Sequence, residues 1–138
     1  MIIMRFSYKT ELENITIPQK IVLAQTTTST KRLLHLSKES DEKVRVETAK
    51  NLDTSPYVLK KLSTDKNMEV RKAVAGNPRT SIHILKTMLY NENEDDDVRL
   101  IVIKNLNHKA SMKNMNKISI DFPKLVMDVL NEDLTKKT

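Results

Sequence analysis

The feature that most constrains this chain is an internal repeat of 26 residues. Shifting the sequence by that step superimposes apolar residues on apolar residues and Thr-Ser on Thr-Ser. A further step of 28 residues extends the match, and its two extra residues fall in the acidic stretch from Glu92 to Asp97. A period of roughly 20 to 50 residues is typical of stacked supersecondary units that cannot bury their apolar faces alone. The matched positions are Leu33, Leu59 and Leu85; Leu36, Leu62 and Met88; Thr28, Thr54 and Thr80; Ser29, Ser55 and Ser81; Val44, Val70 and Val98; Arg45, Arg71 and Arg99; and Asn51, Asn77 and Asn105.

Each unit is predicted to contain two short helices joined by a polar connector. Apolar residues recur with helical spacing in both halves of the unit. A hydroxyl or carboxylate just before each half can accept hydrogen bonds from the free amide groups of a first turn. The expected N-caps of the first helices are Ser29, Ser55 and Ser81. Those of the second helices are Asp41, Asn67 and an aspartate within residues 95–97.

Composition supports an all-α fold and a single domain over residues 1–138. The 138 residues include one glycine and only 4% aromatic residues, whereas tight β-hairpins depend on residues at positive φ. We expect an N-terminal cap over residues 1–17 and about three helical repeats over residues 18–117. In the first of these units, Gln19 stands where the others have arginine. Residues 118–138 are predicted to form a C-terminal capping helix and a tail.

The best-preserved unit resembles a known repeat family. Residues 70–89, VRKAVAGNPRTSIHILKTML, and residues 44–62, VRVETAKNLDTSPYVLKKL, are similar to the leucine-rich repeat variant, a HEAT-like α-helical repeat. Residues 98–111 fit this pattern only as far as Asn105. The resemblance implies a right-handed α-solenoid, an α-α superhelix of short helices. A cysteine cluster accompanies some members, but this chain has no cysteine, so that chemistry does not carry over.

Several classes of function are disfavoured by residue content. The lack of cysteine excludes disulfides, thiolate metal sites and cysteine nucleophiles, and it is typical of a cytoplasmic protein. No apolar run exceeds four residues, the length of the run from Leu100 to Ile103, and this is too short to span a bilayer. The three histidines occupy different phases of the repeat, so we expect no metal site. We also expect no cofactor and no small-molecule ligand.

The only glycine, Gly76, precedes Asn77 and Pro78. A phosphate-binding loop would need several glycines and a lysine at fixed spacing, so we interpret this stretch as the end of a helix. Glycine or asparagine there can adopt the left-handed conformation, and proline beyond it blocks continuation. Because Asn51 and Asn105 share the phase without glycine, asparagine is the repeated element and is expected to bind backbone groups in the turn.

Basic residues of the second helices form the candidate binding surface, which is expected to be concave. The three arginines recur at one phase and have two interpretations: a ladder of ion pairs along the stack, with Asp41, Asp65 and Asp97 as possible partners, or a row of groups that contact phosphates. The lysines should be more exposed, although glutamates interrupt them. The candidate residues are Lys43, Arg45, Lys50, Arg71, Lys72, Arg99 and Lys104.

These observations favour a non-enzymatic binding module or scaffold. No nucleophile, base and orienting group occur together in a recognisable pattern. HEAT-like DNA glycosylases hold damaged nucleotides with aromatic residues that include tryptophan, and this chain has no tryptophan. Protein binding through the concave face is the leading hypothesis. The alternative is sequence-independent binding of DNA or RNA backbones by arginine and lysine, which the net charge of +6 also permits.

Overall fold

Short helices follow one another along the chain. The computed structural model describes residues 8–112, and within this range it contains eight α-helices and no strand. The expectation of an all-α fold is therefore confirmed for these residues. The helices are α1 (Tyr8–Glu13), α2 (Ile17–Thr26), α3 (Thr30–Leu36), α4 (Glu42–Lys50), α5 (Pro56–Leu62), α6 (Met68–Gly76), α7 (Ile82–Leu89) and α8 (Asp96–Met112).

Side-chain caps start these helices where the sequence predicts. The Ser55 hydroxyl accepts a hydrogen bond from the amide of Val58 at 3.3 Å, and the serines before α3 and α7 do the same three residues ahead. Asp41 and Asn67 accept from the second amide of α4 and of α6. Each cap satisfies one of the four amides that a helix start leaves without a partner, so local sequence alone sets where these helices begin.

The second helices of successive repeat units pack on one another in chain order. We call α2, α4, α6 and α8 the even layer, and α3, α5 and α7 the odd layer. Within the even layer, α2 packs on α4, α4 on α6 and α6 on α8, and each odd-layer helix packs against the even layer. The interior between the layers is filled by fully buried leucine and valine side chains. The helices of the two layers before α8 have only 7 to 10 residues each, so each depends on these neighbours for stability.

A ladder of asparagine side chains joins successive helices of the even layer. The Asn51 amide group donates to the carbonyls of Ala24 and Thr27, at 2.8 and 2.9 Å. In the next unit, Asn77 donates to Ala49 at 2.7 Å and to Asn51 at 3.2 Å. These carbonyls lie at the C-terminal end of the preceding even-layer helix, where the last carbonyls lack partners within the helix. Each asparagine therefore caps its neighbour.

The third rung of this ladder is made by Asn105, whose amide group donates to Ala75 at 2.8 Å and to Asn77 at 3.0 Å. The asparagines thus form one chain in which the carbonyl of each accepts from the side chain of the next. The prediction that asparagine binds backbone groups in the turn is confirmed, because the side-chain oxygens of Asn51 and Asn77 accept from the amides of Asp53 and Arg79 at 2.8 Å. The side-chain amide groups also reach carbonyls of the neighbouring unit.

The expected left-handed conformation at the helix ends is wrong. Asn77 has φ −70° and ψ 121°, and Asn51 has φ −67° and ψ 129°, so both are extended. Gly76 is the last helical residue of α6. The helix ends where the Val74 carbonyl accepts from the Asn77 amide at 3.2 Å and from the Thr80 hydroxyl at 2.7 Å. No residue at positive φ is needed for this termination.

Helix α8 runs past the point at which the repeat predicts a turn. Asn105 lies within α8, and the helix continues to Met112. His108 occupies the position that Thr54 and Thr80 hold in the earlier units. Their hydroxyl groups donate to carbonyls near the helix end, and a threonine is missing at this position of α8. The buried Leu106 packs into the core and favours continued helix at this point.

The ends of the predicted domain are described only in part. Residues 1–7 of the expected N-terminal cap, residues 113–117 of the last repeat and the expected capping helix at 118–138 lie outside the described residues. The remainder of the N-terminal cap contains α1, which packs on α3 and places Leu12 in a small core cluster with Ala24 and Val44. The first helix of the predicted repeat region, α2, begins at Ile17, one residue before the predicted boundary at residue 18.

The asparagine ladder can be tested by replacing Asn77 with alanine. The substitution leaves the buried carbonyl of Ala49 without its donor, so we expect a loss of about 2 kcal/mol or more in the free energy of unfolding. Urea denaturation followed by circular dichroism measures this. Asn93→Ala, at an exposed position, should change stability by less than about 0.5 kcal/mol. Asn77→Asp keeps the acceptor and removes the donors, so wild-type stability in that variant would contradict the assignment.

Candidate binding surface

Arg45 is buried and uses its whole guanidinium group inside the structure. Its Nε and one terminal nitrogen donate to the two carboxylate oxygens of Asp65, at 2.8 and 3.2 Å. The other terminal nitrogen donates to the carbonyls of Glu39 and Ser40, at 2.8 and 2.9 Å. The Arg45 side chain is only 8% exposed. It fastens the connector before α4 to the connector before α6.

Arg71 repeats this arrangement one unit later. Its Nε lies 3.0 Å from a carboxylate oxygen of Glu94, and a terminal nitrogen lies 2.9 Å from Asp95. Its remaining terminal nitrogen donates to the carbonyl of Asp65 at 2.8 Å. The Glu94 side chain is 2% exposed, so it depends on the arginine to balance its charge.

Arg99 is buried at the start of α8. One terminal nitrogen donates to Asp96 at 2.8 Å and the other to the carbonyl of Asn91 at 2.7 Å. Its Nε is buried with no hydrogen-bond partner among the described groups. Arg99 therefore holds the connector before its own helix, as Arg45 and Arg71 do.

In the first unit, Lys20 forms the ion pair that an arginine forms in the later units. The repeat predicts Gln19 at the arginine position. The Lys20 ammonium group donates to Glu39 at 2.9 Å, and both side chains are largely buried. Gln19 instead accepts from the Thr16 amide at 2.8 Å in a capping box at the start of α2. The ion-pair ladder thus begins with a lysine, one residue after the predicted position.

Only one of the three expected carboxylate partners pairs with a ladder arginine in the described part of the chain. Asp65, one of the three, pairs with Arg45. Asp41 instead accepts from the Lys43 amide at 2.8 Å and caps α4. Asp97 lies 3.8 Å from Lys72. The partners of Arg71 and Arg99 come from the acidic connector, and its Glu94 could not be chosen from its neighbours by sequence alone.

The lysines of the candidate surface are more accessible than the arginines. Lys43 and Lys104 are exposed. Lys50 is 60% exposed and lies 3.7 Å from Glu47. Lys72 is half-buried between two carboxylates, with Glu69 at 3.3 Å. The exposed surface of the even layer therefore carries lysines interspersed with glutamates, while its arginines are withdrawn.

A depression lies on this surface between α4, α6 and α8. Its volume is about 440 Å³, and Val46, Ala73 and Ile101 supply apolar walls. Gly76 forms part of the depression because its position carries no side chain, whereas the matching residues of α4 and α8 are Lys50 and Lys104. A Cβ atom at Gly76 would lie 3.7 Å from a methyl group of Ile101, which is an ordinary contact.

A second depression of about 430 Å³ continues the first toward α2. The two share Val46 and Glu69, and Ile21 adds a further apolar wall. Lys50 and Lys72 lie beside the first depression, and Lys43 and Glu47 beside the second. The geometry suits an extended partner with apolar side chains spaced along it and charges of both signs around them.

Residues suited to metal binding or membrane insertion are not grouped in this part of the molecule. Across residues 8–112, no three histidine, aspartate or glutamate side chains are close enough to hold a metal ion. None of the helices in the same range has both the length and the apolar character that a membrane span requires.

Comparison with known proteins gives no assignment. No protein-family model matches the chain, and no curated protein or solved structure is significantly similar to it. The resemblance to the leucine-rich repeat variant, which rests on the repeat motif, stays a prediction.

Removing Arg45 should destabilise the fold strongly. Arg45→Ala leaves the nearly buried Asp65 carboxylate without its cation, so we expect a loss of about 3 kcal/mol or more in the free energy of unfolding. Lys43→Ala, on an exposed position of the same helix, should cost less than about 0.5 kcal/mol. Similar unfolding midpoints in guanidinium chloride for the two variants would show that Arg45 is not part of the framework.

Proposed function

We propose that this protein is a non-enzymatic helical-repeat module of the right-handed α-solenoid type, which binds a protein segment on its even layer. The repeat motif and its resemblance to HEAT-like units of the leucine-rich repeat variant support the architecture, and the right hand follows from that resemblance. The lack of cysteine supports a cytoplasmic location.

The packing of the helices supports a curved stack with the even layer inside. Successive helices of the even layer pack directly on one another, whereas α3, α5 and α7 pack mainly on even-layer helices. In a stack of two-helix units, the layer whose helices approach more closely lies on the inner side of the curve. Repeat proteins of this kind use the concave side as an extended binding surface.

The observation that carries the proposal is the pair of connected depressions at Val46. Apolar walls at Ile21, Val46 and Ile101 can receive side chains of a partner. A buried apolar anchor surrounded by polar groups is how protein interfaces concentrate their binding energy. Lysines and glutamates alternate around the walls, so a segment of mixed charge fits better than a uniformly charged polymer.

The ion pairs argue against phosphate binding at this surface. Arg45, Arg71 and Arg99 direct their guanidinium groups to carboxylates and carbonyls of the connectors. A nucleic acid lying here would meet Glu47 and Glu69 beside the remaining lysines, and these carboxylates repel phosphate.

The proposal can be tested at Gly76 with two substitutions. Gly76→Lys introduces the residue found at the matching positions of α4 and α8 and should fill the first depression without unfolding the helix. Gly76→Ala is the matched control: it adds one methyl group at contact distance from Ile101 and should raise stability by up to about 1 kcal/mol. Peptides are selected from a random library on the wild-type protein and then titrated against both variants.

We expect the enriched peptides to carry apolar residues flanked by charges of both signs. They should bind the Gly76→Ala variant as they bind the wild type and lose at least tenfold in affinity for the Gly76→Lys variant. A selection that yields no binders, or binders that tolerate lysine at position 76, would remove the support for this surface. Selective binding of generic DNA or RNA to the even layer would favour the alternative.

A further inference from the structure

The odd layer carries basic residues and no acidic ones. Its three helices have the sequences TKRLLHL, PYVLKKL and IHILKTML, which contain five lysine or arginine residues and no aspartate or glutamate. In contrast, α4, α6 and α8 each contain residues of both signs. The basic excess of the chain is thus sorted onto the layer opposite the surface proposed above.

Four of these five cations have no acidic partner among residues 8–112. Arg32 is the exception: it forms a bidentate pair with Glu11 at 3.1 and 3.2 Å, and its guanidinium group lies 5.4 Å from the centre of the Tyr8 ring. Within the described residues, no ion pair involves the four lysines of the odd layer. They are Lys31, Lys60, Lys61 and Lys86, and all but the half-buried Lys86 are exposed.

A groove of about 430 Å³ separates α5 from α7 on this side. Lys60 and Lys61 line it from α5, His83 and Thr87 line it from α7, and the wall includes Ile84. None of the described residues that line the groove carries a carboxylate. The Thr87 hydroxyl already donates to a carbonyl of its own helix at 2.9 Å, so the lysines are the main groups available to bind an anion.

An exposed aromatic ring stands at the edge of this groove. Tyr57 is 58% exposed, and the capped start of α5, with Ser55 and Pro56, fixes its position. The Lys61 ammonium group lies 5.0 Å from the ring centre. Its hydrogen bond to the phenol and its positive charge lower the pKa of Tyr57. A large aromatic surface is thus held in water next to two lysines.

We propose that the odd layer binds single-stranded nucleic acid, with a base stacked on Tyr57 and phosphates on Lys31, Lys60, Lys61 and Lys86. An exposed ring beside cations that pair with no described carboxylate is the combination that suits sequence-independent binding of single strands, since every base has a face that can stack. An acidic peptide would use the lysines but would have no comparable use for the exposed ring. The proposal does not depend on the even layer.

Fluorescence polarisation with a labelled 12-nucleotide oligo(dT) tests this assignment in the full chain. Four neutralised phosphates on a single strand predict a weakening of about 50-fold between 50 and 200 mM NaCl. The double variant Lys60→Glu/Lys61→Glu should bind more than tenfold more weakly than the wild type. Tyr57→Ala should lose about tenfold and Tyr57→Phe little, because phenylalanine keeps the stacking face.

The matched control reverses two lysines of the even layer, Lys43→Glu/Lys50→Glu, and changes the net charge by the same amount. This control and Gly76→Lys should keep wild-type affinity for the oligonucleotide. The proposal is overturned by an absence of binding at 50 mM NaCl or by equal losses in the two double variants. It is also overturned if a polyglutamate peptide binds more tightly than oligo(dT), which would assign the face to an acidic protein.

Discussion

The rest of the structure depends on one recurring hydrogen-bonding arrangement, in which an asparagine side chain caps the neighbouring helix. A helix of nine or ten residues leaves its last carbonyls without partners, and in a stack these ends are shielded from water. Asn51, Asn77 and Asn105 each donate to two such carbonyls of the unit before. Because two carbonyls are bound at once, each helix is held at a defined height and rotation against the next.

The ion pairs join successive units at the start of the even-layer helices, as the asparagines join them at the ends of these helices. Lys20, Arg45 and Arg71 reach carboxylates of a following connector, and the arginines also bind backbone carbonyls. Such pairs are costly to desolvate, and their geometry must satisfy nearly every donor. The arginines are therefore unavailable to a partner. Because these cations are paired inside the structure, the number of basic residues in a helix does not give the charge of its exposed surface.

Both binding sites proposed above lie at departures from the repeat. Gly76 lacks the lysine that its equivalents carry, and a depression lies where that side chain would be. Tyr57 places an aromatic ring in water on the opposite side. Core and ladder residues occupy the positions that repeat from unit to unit, whereas Gly76 and Tyr57 lie at positions that differ between units.

Helix starts and the all-α fold were predictable from the residues in order, whereas the repeat indicated Asp65 only as one possible partner for the ladder arginines. Capping and helical periodicity act between residues at most four positions apart, and such distances survive any tertiary arrangement. The use of Lys20 instead of Gln19, the choice of Glu94, the extended conformation of Asn77 and the continuation of α8 depended on the assembled structure. In each case the deciding contact joins a side chain to a neighbouring unit or to the shared core, so its outcome depends on how the units pack.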